Sequence, residues 1–152
     1  MVVRALAAAL LAVSVTAGLS GCVQEDYEKT LPPLIEAKVT GELSAEVRTG
    51  TTATPGLRTV SVSLTMEQEE VTSEDLNGVL DAIFETTSLP SVYTLGVRGY
   101  HSQADGDLDC IDLSPALADL GLTQFASYPF GEDKCGNLLG DPDELLKWWA
   151  DR

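Results

Sequence analysis

The feature that most restricts the fold of this chain is a long alternation of apolar and polar residues. From residue 35 to residue 48, apolar or small residues take every second position, and polar or charged residues fill the others. A period of two over this length is typical of a β-strand with one buried face. The same alternation returns over residues 59–66. Because Pro55-Gly56 lies in a turn-like stretch between the two runs, they are predicted to form a hairpin.

A helix is predicted after this hairpin. Thr72 or Ser73 can cap its N-terminus, and Glu74 and Asp75 suit the positive end of the helix dipole. Pro90 prevents the helix from continuing. Its apolar residues recur at the spacing of one helix face: Leu76, Val79, Leu80, Ile83 and Phe84.

The second half of the chain gives weaker signals. Residues 92–100 are rich in β-branched and aromatic residues and predict a third strand. The turn signal Asp105-Gly106 follows, and residues 108–113 predict a fourth strand. Short helices are predicted at 114–121 and from Asp141 onward, each with a proline in its first turn. Residues 123–140 show no pattern that assigns them.

The predicted fold class is therefore α+β, with a small, mostly antiparallel sheet of three to four strands in a ββαββ-like order. One main helix packs on the sheet, and short helices follow at the C-terminus. We expect the third strand to lie beside the first, in the order 2-1-3, because an antiparallel neighbour then results. A single domain is expected over residues 34–152.

Charge restricts the partners of this domain. Asp and Glu number 24 against 9 Lys and Arg. An acidic surface of this kind repels phosphate backbones, so nucleic acid is excluded as a partner. It also repels anionic lipid headgroups, and we expect the domain to stand away from any membrane. The simpler interpretation is that acidity keeps the domain soluble.

The N-terminus carries an export signal. Arg4 is followed by an uncharged apolar stretch from Ala5 to Ala17, which is too short to span a bilayer as an anchor. The stretch runs into Leu19-Ser20-Gly21-Cys22. This tetrapeptide resembles the lipobox of bacterial lipoproteins, which has an aliphatic residue, two small residues and a cysteine. The alternative is an ordinary signal-peptidase site with Ala17 or Ser20 as its small residue.

The resemblance implies that residues 1–21 are removed by cleavage between Gly21 and Cys22. Cys22 would then carry a diacylglyceryl thioether, with palmitate-like chains, and its new amino group could be acylated. Two or three chains make a stable anchor. Residues 22–33, ending in Pro32-Pro33, are expected to be a tether that reaches at most ~35–40 Å. The protein would be held at the extracytoplasmic face of the cell membrane, or at an outer membrane in a Gram-negative bacterium.

Cys110 and Cys135 are the cysteines that remain beside Cys22. An even pair in an exported domain predicts a disulfide, which would contribute about 3–3.5 kcal/mol by loop entropy. A thiolate metal site and a catalytic cysteine are the alternatives. The metal site would need two more soft ligands, and the chain has one histidine.

An acidic cluster at Asp105, Asp107 and Asp109 begins like a calcium-binding EF-hand loop. The sixth position is Cys110 where glycine is needed, and the twelfth is Ala116 where a bidentate Glu is needed. A solvated acidic turn is therefore favoured over a metal site, and no cofactor other than the covalent lipid is expected.

The remaining candidates are weak. His101 is the sole histidine and cannot complete a Ser-His-Asp triad without a nucleophile that the sequence does not nominate. Glu67, Glu69 and Glu70 resemble a solvated loop more than a glycosidase pair. Trp148-Trp149 could bind a ligand or partner, but more often such a pair packs on the domain.

The sequence thus predicts a membrane-anchored envelope lipoprotein with a non-enzymatic binding role, toward an envelope protein or a small ligand. A carboxylate-dependent extracytoplasmic hydrolase and a calcium-binding accessory protein are the alternatives.

Overall fold

The computed structural model describes residues 26–41, 43–129 and 135–152. The helices of these ranges are α1 (Tyr27–Lys38), α2 (Ser73–Phe84), α3 (Ser114–Asp119) and α4 (Pro142–Ala150), with a 3-10 turn at Thr123–Phe125. The strands are β1 (Leu43–Thr51), β2 (Arg58–Met66), β3 (Val92–Ser102), β4 (Leu108–Ile111), β5 (Ala126–Ser127) and β6 (Asn137–Gly140).

The described strands form one sheet in the order β1-β2-β3-β6-β5, and β4 also pairs with β3. The neighbours are antiparallel except for β2 and β3, which are parallel. This confirms the α+β class and the mostly antiparallel sheet. The expected three to four strands are too few, since β5 and β6 come from the stretch that the sequence left unassigned.

Strand β3 is long enough to hold two short partners along one edge. Its residues 95–97 pair with β6, and its residues 99–102 pair with β4. The predicted hairpin of β1 and β2 is confirmed, with Leu43 opposite Met66 and Thr51 opposite Arg58.

The expected strand order 2-1-3 is wrong, because helix α1 occupies the outer edge of β1. The backbone N–H of Ala45 donates to Glu36 at 2.9 Å, and that of Thr49 donates to Glu28 at 2.8 Å. Glu28 and Glu36 are eight residues apart in the helix, a distance of about 12 Å, and the two strand N–H groups are four residues apart, a distance of about 13 Å. The two carboxylates therefore have the spacing of the two N–H groups that they accept from. With this edge taken, β3 pairs with β2.

The expected tether at 22–33 is wrong from Tyr27 onward. The strand expected from residue 35 is wrong over residues 35–41, because β1 begins at Leu43. Helix α1 contains Pro32 and Pro33, and its residues Tyr27, Leu31 and Ile35 are buried in the core. Two internal prolines each remove a helix hydrogen bond. The four-residue spacing of three buried side chains stabilises the helix despite this loss.

The core lies between the helices and one face of the sheet. Every second residue of the long strands contributes to it, and α1, α2, α3 and α4 each add buried side chains to the same cluster. The predicted start of α2 is confirmed: Thr72 Oγ1 accepts from Asp75 N, and the Asp75 carboxylate accepts from Thr72 N at 3.0 Å. Asp141 caps α4 by accepting from Asp143 N at 2.8 Å.

The predicted disulfide joins Cys110 on β4 to Cys135, two residues before β6, with their Cα atoms 5.9 Å apart. It therefore connects the two short partners of β3. Asp112 reinforces the same junction, because its Oδ1 accepts from Ser114 N, Ser114 Oγ and Gly136 N. Partial burial would raise the pKa of Asp112, but these hydrogen bonds outweigh it and lower the pKa below its ordinary value.

Candidate binding face of the sheet

The sheet face opposite the helices is half-buried or exposed along the three long strands, and we call it the open face. It results from the same alternation that builds the core, because successive strand residues point to opposite faces. Its side chains are mostly small and hydroxylated. They are Ser44, Glu46 and Arg48 on β1, Thr59, Ser61, Ser63 and Thr65 on β2, and Thr94, Arg98 and Tyr100 on β3.

A recess of about 260 Å³ lies on the open face where β2, β3 and β6 adjoin. Ligand pockets in proteins commonly range over about 300–1,000 Å³, so this recess suits a small ligand or one unit of a larger one. Its described lining includes the hydroxyls of Thr59, Ser61, Thr94 and Ser127. Leu139 is 49% exposed and lies above Gly96, so its side chain forms an apolar wall of the recess.

Arg98 is the one charged residue among the described residues that line the recess. None of the ion pairs formed between described residues includes it. Arg48, on the same face, is different, since its Nε lies 2.8 Å from the Glu46 carboxylate. A guanidinium can bind carboxylate or phosphate groups with paired hydrogen bonds.

A smaller hollow of about 90 Å³ adjoins the recess and shares Arg98, Pro129 and Asn137 with it. Gly99, Tyr100 and the disulfide of Cys110 and Cys135 complete its described lining. Arg98 thus lies between two connected depressions. The disulfide holds β4 and residue 135 at the rim of the second one.

The acidic cluster lies in and after the β3–β4 turn. Asp105, Asp107 and Asp109 are exposed, Asp105 accepts from Asp107 N at 3.2 Å, and Asp109 accepts from Gln103. Within residues 26–41, 43–129 and 135–152, no group of three or more His, Cys, Asp or Glu is arranged to hold a metal ion. The cluster is hydrogen-bonded within its own turn.

His101 and the three glutamates lie at the same end of the sheet as this turn. His101 is half-buried, and its Nδ1 lies 3.2 Å from the carbonyl oxygen of Gln68. Because a carbonyl oxygen only accepts, Nδ1 is the nitrogen that donates in the neutral ring. Glu67, Glu69 and Glu70 are exposed in the loop before α2. The structure does not bring these groups to the recess.

The tryptophan pair packs on the helical layer. Trp148 Nε1 donates to the carbonyl oxygen of Leu120 at 3.2 Å, and Trp149 Nε1 donates to Asp81 at 2.7 Å. The Trp149 ring centroid is 6.1 Å from that of Phe84. Arg152 lies over both indoles and pairs with Asp81. Because both indole N–H groups are used inside the protein, the geometry favours a packing role over ligand binding.

The predicted lipidation site, Cys22, and the cleavage position after Gly21 lie outside the described residues. In the described part of the chain, no helix is both long and apolar enough to cross a membrane. No protein family, no curated protein and no solved structure matches this chain.

Sequence reasoning missed Arg98 as a site residue. Its position in an alternating strand, between the inward-pointing Val97 and Gly99, was a signal that it faces away from the core. The recess could not be predicted from the sequence, because Ser127, Pro129 and Leu139 all lie in residues 123–140, where the sequence shows no pattern that assigns secondary structure.

Proposed function

We propose that this protein is a lipid-anchored envelope protein that binds a ligand on the open face of its sheet, without catalysing a reaction. The observation that carries the binding role is Arg98, a guanidinium with no ion pair to a described residue, in a hydroxyl-lined recess. The lipobox resemblance at Leu19-Ser20-Gly21-Cys22 supports the anchor and the extracytoplasmic location.

The ligand chemistry follows from the lining. A guanidinium pairs with an anionic group, while the hydroxyls of Thr59, Ser61 and Thr94 each donate and accept hydrogen bonds. Leu139 and Pro129 provide apolar contact. A hydroxylated ligand that carries a carboxylate, such as an acidic sugar, fits this combination best.

The absence of acids from the described lining favours binding over the hydrolase alternative. None of the described residues that line the recess is Asp, Glu, His or Cys. Carboxylate-dependent hydrolysis needs two opposed acids across the bound substrate. The acidic residues Glu67, Glu69 and Asp105 lie instead at one exposed end of the sheet.

Replacing Cys22 tests the anchor. We expect wild-type protein to incorporate a fatty-acid analogue and to remain with the membrane fraction, and Cys22→Ala to lose both properties because the thioether cannot form. Ser20→Ala is the matched control, since it keeps a small residue in the lipobox. Retention and labelling of Cys22→Ala would contradict the lipoprotein assignment.

Titration with D-glucuronate tests the recess, and D-glucose serves as the uncharged comparison. In amide NMR spectra we expect glucuronate to shift Thr59, Thr94 and Gly96 and to bind more tightly than glucose. A hydrogen bond to a charged group contributes about 1.5–3 kcal/mol, so Arg98→Gln is expected to weaken binding about tenfold or more. Arg48→Gln, the paired guanidinium on the same face, should change it little. Equal effects of both variants would exclude Arg98 as the ligand contact.

A further inference from the structure

The domain begins very close to the predicted anchor. Helix α1 starts at Tyr27, so five residue steps separate it from Cys22. An extended chain advances at most ~3.3–3.6 Å per residue, which limits this connection to about 17 Å. The sequence alone suggested a tether of about twice that reach. The first turn of α1 must therefore lie near the lipid headgroups if Cys22 is anchored.

The N-terminus of α1 lies at one end of the sheet. Glu28 accepts from Thr49 N and Thr49 Oγ1, both at 2.8 Å. The guanidinium of Arg58 lies 5.3 Å from the centre of the Tyr27 ring, and Arg58 N donates to Ser91 O at 2.9 Å. We call the residues that meet here, 49–58 and 86–94 with Tyr27, the tether end.

Acidic residues lie at both ends of the domain. Asp26 and Glu28 lie at the N-terminus of α1, and Asp141 follows Gly140, which pairs with Leu95 close to the start of β3. The two loops of the tether end carry no acid of their own. No Asp or Glu occurs in residues 47–66 or 86–104, which supply the β1–β2 loop and the loop before β3 at the tether end. Glu67, Glu69, Glu70, Asp105 and Asp107 lie at the opposite end, where β2 and β3 finish. We call the end that carries these five residues the acidic end.

Three of the cations lie at or beside the tether end. Lys29 and Arg48 each pair with a nearby carboxylate, and Arg58 lies over Tyr27. Tyr93 is 62% exposed there, and tyrosine is a residue type enriched at membrane–water interfaces.

The length of the sheet determines whether the charges of the acidic end repel a membrane that lies at the tether end. Strand β3 has 11 residues, and a strand rises about 3.3 Å per residue, so the two ends are about 35 Å apart. Charges are screened over about 8 Å at physiological salt. The acidic end therefore contributes almost nothing to repulsion when the tether end lies on anionic headgroups.

We propose that the tether end lies against the headgroup layer of the membrane that holds the Cys22 lipid, with the acidic end pointing away. This inference rests on the proposed lipid anchor. It replaces the expectation that the whole domain stands off the membrane, because the short connection limits the distance between the tether end and the headgroups. The open face then runs upward from the membrane surface.

Headgroup quenching of a site-specific fluorophore tests the orientation. The lipidated full-length protein is placed in vesicles of phosphatidylglycerol and phosphatidylethanolamine, with Ala53→Cys or Ala104→Cys labelled on the added thiol. Both alanines are exposed, one at the tether end and one in the β3–β4 turn. We expect a headgroup-nitroxide lipid to quench the label at residue 53 several-fold more strongly than the label at residue 104.

Flotation of the same vesicles separates the two hypotheses. Protein that floats with the vesicles but shows equal quenching at both positions would overturn the docking proposal and leave the anchor intact. Protein that does not float would overturn the anchor and the docking together. A third outcome is equal quenching at both positions together with self-quenching of the label at residue 53 that increases with the density of protein on the vesicles. It would mean that the tether end contacts a second copy of the chain and not the headgroups.

Added charge tests whether the β1–β2 loop contacts the headgroups. Thr54→Glu places an acid at the tether end, and we expect it to lower quenching at residue 53 on anionic vesicles but not on phosphatidylcholine. Ser102→Glu, at the acidic end, should leave that quenching unchanged. Equal effects of the two variants would contradict contact between this loop and the headgroups.

Discussion

Replacing Leu31 with alanine is expected to lower the free energy of unfolding by about 2–5 kcal/mol, the usual cost of removing a fully buried leucine side chain. Leu31 is completely buried in the core, on the face of α1 that also carries Tyr27 and Ile35. A small domain has about 5–15 kcal/mol of stability in total, so the loss is a large share of it. Urea denaturation of a chain that begins at Val23 measures the difference.

Leu34→Ala is the matched control, because Leu34 lies on the same helix but is 39% exposed. We expect it to change stability by less than about 1 kcal/mol, since alanine is also a good helix former. A chain that starts at Leu34, the boundary expected from sequence, should fold poorly because it lacks Tyr27 and Leu31. Equal stability of the Leu31 and Leu34 variants would mean that α1 does not pack as described.

Helix α1 shows why part of this fold could not be predicted locally. Ile35 and Val39 fit both a strand alternation and a helix face, because they are four residues apart. Pro32-Pro33 then favoured a tether, since prolines inside a helix are costly. What decides the structure is the burial of Tyr27 and Leu31, and burial depends on the sheet that these residues meet.

The strands and caps that rest on local chemistry were predicted well. The hairpin of β1 and β2 and the cap at Thr72 each follow from residues close together in sequence. The strand order was predicted wrongly, because it depends on which element reaches the edge of β1. Glu28 and Glu36 match that edge only after α1 has formed.

The candidate site depends even more on distant residues. The alternation places Arg98 on the open face, but the recess around it also needs β6 and residues 127–129. These segments are too short to give a periodic signal, and their positions are set by pairing with β3 and by the disulfide. The cysteine pair was therefore the most informative sequence feature of this region.

Removing the disulfide is expected to cost about 3–3.5 kcal/mol, from the loop entropy of a 25-residue separation. The double variant Cys110→Ser, Cys135→Ser keeps polar side chains at positions where Cys110 is exposed and Cys135 half-buried, so little packing is lost. Guanidinium denaturation measures the change. The wild-type chain unfolded in the presence of a reductant should lose the same amount.

The structure also predicts which strands are destabilised when the disulfide is removed. Strands β4 and β6 have four residues each and share one edge of β3, so neither has much pairing of its own. Without the bridge we expect faster amide hydrogen exchange in these two strands and no change in β1. Free thiols that alkylate in the native, unreduced protein would contradict the disulfide. Uniform acceleration across the sheet would instead show that the bridge stabilises the whole domain and does not specifically hold the rim of the recess.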